Sequence, residues 1–459
     1  MRRRSRLVKI PASGGGGGGG GGATYDTPTR YASPTGTEPW ATATDVDHPC
    51  SAATAFGSAT AGHVVQFAAG TYTGTAGNDR FIPAFRPTNS GSAGNYITFQ
   101  GNHAGTVVLA HTGGSGPLLG VNGPDYIVLR GFRCDEANGI SAVDTGPVTI
   151  NNYSHHIIIE DCEIDGNGNP NSVGTNHPGI RLEGATDITL RYNWIHDCYN
   201  TVGPHGDGNA SGVQCYESGR VEIYSNDIIT CGGGVFLKNL VDPGSGSIDW
   251  FLIHHNWVED VCIGFYHGRT PMIESAPAKY YQNVVKLAAG YGASYATQFN
   301  VLIDYTKYGL VVNNTFVGTN TGNGGVAVLS ATTGNKIWNN IFYDMDLYFV
   351  NANSSSYIDP AVVDFEHNCY YLGDDQFYIG STTYSLATWK STYTQDSASP
   401  AAHSSNPTFV DFANDNYKLD TGSPCLDAGI DTLNLLGGGT TEPINQGAYI
   451  TGDETIGRP

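Results

Sequence analysis

The sequence predicts an all-β chain wound as a single-stranded parallel β-helix, and three observations carry that prediction. The first is a repeat of about 30 residues, a period typical of solenoids and propellers. It reads IIIEDCEIDG from Ile157, ITLRYNWIHDC from Ile188, VEIYSNDIITC from Val221 and FLIHHNWVEDV from Phe251. Each run is followed by one that opens on glycine: GIRLEG from Gly179, GVQCYESG from Gly212, GVFLKN from Gly234 and GFYHGR from Gly264. The pattern resumes at Leu310, Lys336 and Val363. The second observation is run length. Strands of about five residues bury no face alone, but stacked at about 4.8 Å they pair coil on coil around one core. The third is a column of amides. Asn193, Asn226, Asn256, Asn314, Asn340 and Asn368 hold the same place in their units. Stacked there, they would hydrogen-bond from coil to coil. Cys198 and Cys231 fall in register behind them as small core residues. A propeller needs four strands per blade and a blade motif, and neither is present.

The elements follow in chain order. Residues 1–30 read as a disordered tail: a basic head, MRRRSRLVKI, and an unbroken glycine run, Gly14–Gly22. The apolar run of the head is too short for a secretory signal, and no stretch is long enough to span a membrane. With no visible Sec signal, an extracellular or virion-associated location by release on lysis is the expectation. The tail would suit a tether to a virion, and an ordinary disordered terminus stays open beside it. Residues 31–380 form the solenoid. Ser51–Gly62 is its N-terminal capping helix, and YITFQG, TVVLAH and YIVLRGFRC supply its first coils. Open solenoid ends expose strand edges and need such caps. Residues 381–459 form an irregular C-terminal cap, with a short helix in Tyr384–Gln395 and a Pro- and Gly-rich stretch beyond Ala401 packed back on the solenoid.

Nine cysteines show no CxxC pair and no zinc spacing. They read as buried thiols, with a Cys50–Cys425 bridge left open. A net charge of −20 with few Lys or Arg disfavours nucleic acid as a partner, because that binding neutralises phosphates, and no nucleic acid or membrane partner is expected. It also means that an anionic glycan would need a locally basic groove or a bound cation.

These repeats resemble the right-handed parallel β-helix superfamily that includes pectate lyases and other polysaccharide lyases. Tyr31–Thr37 and His48–Thr75 resemble the opening of such proteins, and Asn406–Gly429 resembles their closing segment. The resemblance covers the chain from about Tyr31 to Gly429. It implies the fold before any activity, since this fold hosts lyases, hydrolases, epimerases and adhesins.

A ligand groove in such a fold runs along one outer sheet face. With a period of two, the second runs point Ile180 and Leu182, Val213 and Cys215, Val235 and Leu237, and Phe265 and His267 inward. They point Arg181 and Glu183, Gln214 and Tyr216, Phe236 and Lys238, and Tyr266 and Gly268 outward, with Arg269 just beyond. Two Arg, one Lys and two Tyr on one face reverse the charge of an acidic chain. The turns Asn169–Gly179 and Asn200–Gly212 bring His177, His205 and Asp207 to the same side, and loops on a rigid scaffold commonly carry function.

The chemistry that fits is β-elimination on an acidic, uronic-acid polysaccharide. The substrate carboxylate must be neutralised and a base must take the proton alpha to it. Lys238 is the expected base, with cationic neighbours favouring the free amine. Arg269 or Arg181 would neutralise the carboxylate, and Tyr266 or His267 would protonate the leaving oxygen. Arg181, Tyr216, Gln214, Phe236, His177 and His205 would line the substrate. VFLKN followed one coil later by FYHGR resembles the family-6 alginate and chondroitin lyases, which pair a base Lys with an Arg followed by His-Gly. Here Tyr266 precedes His267-Gly268 and the arginine follows at Arg269. The resemblance implies a calcium ion, for which Glu183, Asp207 and Glu217 are the candidate ligands. Two alternatives stay open. A glycoside hydrolase would use two of those carboxylates at about 5–9.5 Å. A non-catalytic glycan-binding tailspike or adhesin, commonly a homotrimer, would use the same face only to bind.

Overall fold

The structure, a computed structural model, describes residues 23–459 except 78, 80, 102–104, 114–115, 136–145, 169–175, 201–208, 239–249, 269–271, 273, 289–297, 319–321, 331–332, 373–375, 398–403, 432–433, 435–442 and 452–453. Among these residues, twelve parallel strands build one sheet and a second sheet holds twenty. Each coil lays one strand in the first sheet, turns, and returns through the second sheet as a short strand and then a longer one. Glu163–Asp165 and Ile180–Glu183 are one such pair. In the next coils but one the two merge, giving the twelve-residue strands Asp227–Lys238 and Trp257–Gly268. Successive coils pair residue for residue, as in Ile157 on Ile188, Ile188 on Val221, Val221 on Phe251 and Phe251 on Ala278. The expected parallel β-helix is therefore the observed one.

The sequence folds this way because alternation and the turn agree. Most inward positions are Ile, Val, Leu, Phe or Cys, with Ala278, Tyr280 and His267 among the exceptions, and Ile180, Leu182, Val213, Cys215, Val235 and Leu237 are all fully buried. The first turn is tight. Tyr192, Ser225, His255, Gln282, Asn313, Asn339 and His367 each adopt a left-handed φ between 51° and 60°. That conformation costs a non-glycine residue about 1–2 kcal/mol. What offsets the cost is the residue that follows. Asn193, Asn226, Asn256, Asn283, Asn314, Asn340 and Asn368 form one buried ladder. Each donates its backbone N–H and its Nδ2 to the Oδ1 of the next, for example Asn226 to Asn256 at 3.1 and 3.0 Å. The ladder starts at the Cys162 N–H and ends on Asp396. The buried carboxylate of Asp396 also accepts from Tyr370 Oη at 2.8 Å and Trp389 Nε1 at 3.0 Å.

Both ends are closed by a short helix. Helix α1 (Ala52–Ser58) is capped by Ser51, and its Phe56 stacks on Phe99 at 4.4 Å. Helix α2 (Leu386–Thr392) is capped by Ser385, and its Trp389 stacks on Phe377 at 4.6 Å. The C-terminal segment then runs back over an outward face of the second sheet. Tyr417, Ala448 and Tyr449 cover Trp257, Val284 and Val317 there. At the other terminus, Tyr25 donates to Asp161 at 2.7 Å and Asp26 pairs with Arg130, so these two residues of the expected 1–30 tail rest on the solenoid. All nine cysteines are free and buried, Cys50 and Cys425 included. Among the described residues no helix is long and apolar enough to cross a membrane.

Candidate active site

The register joins the second strands into two outward columns. One runs Thr149, Arg181, Gln214, Phe236, Tyr266, Leu302. The other runs Glu183, Tyr216, Lys238, Gly268, Asp304. These are the columns expected from alternation, at a rung spacing of about 4.8 Å.

Lys238 stands in the middle of the second column, half-buried. Among the described residues its ammonium makes no hydrogen bond and no ion pair. Tyr216 precedes it by one rung. On the other side Gly268 leaves a gap, and the Tyr266 ring fills it. A Cβ at Gly268 would run into that ring. Tyr266 also stacks on Phe236 at 4.2 Å, nearly parallel, and donates its hydroxyl to Asp304 at 3.1 Å. Asp304 accepts from Ser330 at 2.8 Å through its other oxygen. A lone amine and a carboxylate-anchored phenol therefore flank one outward position.

Five expected site residues are held differently from the expectation. His267 lies inside the solenoid, 2 % exposed, with Nδ1 at 3.0 Å from Tyr280 Oη. Burial pushes its pKa down to about 3, so it is a neutral core histidine and no proton donor to the groove. The alternation that placed it inward was the decisive signal. Arg181 is 4 % exposed. Its Nε and Nη2 both reach Glu183 Oε2 at 2.8 Å, its Nη1 reaches Gln214 at 3.3 Å, and it lies over the Tyr216 ring at 5.0 Å. A guanidinium so engaged does not present itself to a substrate carboxylate. Gln214 is fully buried and donates to Asn176 and to the Asn209 carbonyl. His177 is buried with Nε2 at 2.9 Å from the Gly166 carbonyl. Both build the groove wall rather than its surface. Phe236 is 5 % exposed beneath Tyr266. Arg269, His205 and Asp207 lie outside the described residues.

The calcium expectation meets a poor donor set. Glu183 is committed to Arg181, and Glu217 stands exposed at a left-handed φ of 47° one residue beyond its strand. Among the described residues, the group that could hold a metal ion is Asp165, His196 and Asp197, on the other outward face of the second sheet. Calcium takes six to eight oxygens, and this group offers an imidazole already occupied. His196 Nδ1 is 2.8 Å from Asp197, and its Nε2 is 3.6 Å from Glu163. Burial opposes its charge, but those carboxylates and Asp165 outweigh burial and lift it to about 9. Arg133 supplies a second cation, 3.3–3.5 Å from Asp135, Glu163 and Asp165. These residues do not fit a hard divalent ion, and no step is derived through one. Sequence reasoning missed this cluster because its members lie on three successive coils.

No family model matches the chain, and no curated protein matches it. Solved structures do. The pectate lyase Pel9A is similar with a TM-score of 0.55 at 13% identity, over 92% of this chain and 96% of that one. The PL6 family polysaccharide lyase Pedsa3628 from Pseudopedobacter saltans gives 0.43 at 11% identity, over 81% and 95%. The PL6 family alginate lyase AlyGC gives 0.41 at 13% identity, over 72% and 44%. The first likeness establishes the right-handed parallel β-helix, and at this identity it establishes the fold alone.

Proposed function

We propose that the chain is a polysaccharide lyase that cleaves a uronic-acid-containing polysaccharide by β-elimination in the groove around Lys238. The observation that carries this reading is the ammonium of Lys238, unpaired among the described residues, beside the anchored Tyr266 on an outer face of a chain with a net charge of −20. An unpaired lysine flanked by aromatic residues is a position for binding and for proton transfer. The fold it shares with the pectate lyase Pel9A is compatible with this class and names no substrate.

In this reading Lys238, as the free amine, takes the proton from the carbon alpha to the substrate carboxylate. The electron pair forms the C4–C5 double bond and the C4–O bond breaks. The leaving oxygen takes the hydroxyl proton of Tyr266, which turns from Asp304 to deliver it. Neutralisation of the carboxylate falls to Arg269, the residue after Gly268, since Arg181 is already paired.

The test is incubation with pectate, alginate and glycosaminoglycans, followed in the near ultraviolet where the unsaturated product absorbs. Absorbance that rises with wild type and stays flat with Lys238→Ala supports the lyase. Chelator in parallel decides the calcium question. Reducing ends without the absorbance would replace the lyase with a hydrolase. A second reading, glycan binding without cleavage, draws on the locked state of Arg181 and Gln214, and binding with neither signal would favour it.

A further inference from the structure

Upstream of Lys238 its column enters a depression of about 340 Å³. Asn122 pairs with Asn151, and the register of their strand with Ile180–Glu183 places Glu183 on the next rung. Glu217 and Tyr153 complete the rim. Tyr153 is 67% exposed at a left-handed φ of 60°, so its ring is offered to solvent there.

The floor contains an unmet acceptor. Asn151 is 2% exposed, and its Nδ2 donates to the Phe81 carbonyl at 3.3 Å. Asn122 Nδ2 donates to the same carbonyl at 2.8 Å. This fixes the Asn151 amide, because a flipped amide would set two acceptors against each other. Its Oδ1 is then buried with no hydrogen-bond partner. Buried polar atoms almost always have one, so an orphan acceptor in the floor of a depression calls for a donor from outside. The carboxylates of the lining, Glu183 and Glu217, accept as well, beside Asn152 and Tyr153, which can also donate. Arg181 offsets the charge of Glu183, and Glu217 leaves a net negative rim. A second uronate carboxylate would be repelled here, whereas sugar hydroxyls would donate to the amide and the carboxylates. The exposed Tyr153 ring suits the apolar face of a sugar.

We propose that this depression is a subsite for an uncharged, hydroxyl-donating sugar. The polysaccharide taken by the groove then alternates such a sugar with a uronate and is not an unbroken polyuronate. The inference rests on the lyase reading for the uronate at Lys238. Three rungs, roughly 14 Å, separate Asn151 from Lys238, so the two positions hold different residues of one glycan chain.

The experiment compares elimination on two polyuronates, pectate and alginate, with elimination on two alternating uronate–N-acetylhexosamine polymers, chondroitin and hyaluronan. The alternating polymers are expected to give a kcat/KM at least about tenfold higher. Asn151→Leu is expected to raise their KM about tenfold with little change in kcat. Glu217→Gln, at an exposed side chain that folding does not need, is expected to narrow the preference by admitting polyuronate. Equal cleavage of both polymer types, or an unchanged preference in Glu217→Gln together with an unchanged KM in Asn151→Leu, overturns the subsite and leaves the lyase standing. Elimination on no polymer overturns the lyase instead. The subsite is then read by calorimetric titration with N-acetylglucosamine oligosaccharides: binding that Asn151→Leu weakens supports it, and no binding overturns it.

Discussion

Two outward faces of the second sheet carry charge, and they handle it in opposite ways. On the face of Glu163–Asp165, Arg133 reaches three carboxylates, and His196 lies between Asp197, Glu163 and Asp165. Burial opposes the charge of Glu163, but His196, then Arg133 and last Arg458 from the returning C-terminal segment hold its carboxyl below the usual range. On the face of Lys238 the density of charge is lower, yet the lysine has no partner among the described residues. The first face has more of the residue types that mark a site and less capacity to act as one. Paired charge holds coils together, and unpaired charge in a groove is available to a ligand.

The largest effect that would break this contrast is at Lys238. Lys238→Ala is expected to lower the elimination rate by about 100–10,000-fold, the usual weight of a general base. The melting temperature should not move, because no described contact is lost. A parallel fall in stability would make Lys238 a structural residue and erase the difference between the faces. The interior supplies the opposite case. Asn256→Ala leaves the Asn226 N–H buried without its acceptor and takes the Asn256 Nδ2 donor from the Ile223 carbonyl, while Asn226 Nδ2 keeps the Leu190 and Tyr224 carbonyls. At about 1–3 kcal/mol for each such group, the expected loss is about 3 kcal/mol in a urea titration. Glycan cleavage by the protein that remains folded should be unchanged. A ladder variant that lost activity but not stability would mean that the turn positions the groove directly.

The ladder and the column were legible in the sequence to different depths. Six ladder asparagines stand out because each follows a strand of the same apolar pattern. Asn283 hides behind Ala278–Tyr281, a strand with only two inward residues and one of them alanine. Asp396 hides because it is a carboxylate beyond a helix, and only the coil below shows that it receives the last amide. Alternation after a glycine was enough to place Lys238, Tyr216 and Tyr266 outward and His267 inward. It could not show that Arg181 is spent on Glu183 and Gln214, because those contacts depend on rotamers and on the neighbouring coil. The same limit concealed the His196 cluster, whose partners are far apart in sequence and adjacent only across rungs.

That cluster gives the next effect in size. The folded-state pKa of His196 lies near 9, above its usual 6.5. A raised pKa contributes stability that is complete below about pH 6.5 and is lost as pH rises through about 9. At 1.36 kcal/mol per unit the upper bound is about 3 kcal/mol. Urea midpoints measured across this window should fall for wild type and stay nearly level for His196→Gln. A wild type as level as the variant would show that the imidazolium is not holding these coils, and the claim of structural pairing on this face would fail with it.

The smallest effect compares two lysines. Lys286, on the covered face, donates to Asp415 at 2.8 Å and to Glu259 at 3.2 Å. Burial disfavours its charge, and the two carboxylates more than compensate, so its pKa is raised. Asp415 comes from the returning segment, sits at a left-handed φ of 60°, and also accepts from Tyr417 at 2.8 Å. Asparagine tolerates that conformation and keeps the acceptor, so Asp415→Asn removes little beyond the charge. Partly exposed pairs of this kind contribute about 1 kcal/mol or less. We expect a loss of that size, faster amide exchange in residues 409–419, and unaltered cleavage. A large drop in cleavage would mean that the paired lysine face reaches the groove, and that a cation's pairing does not separate scaffold from site in this molecule.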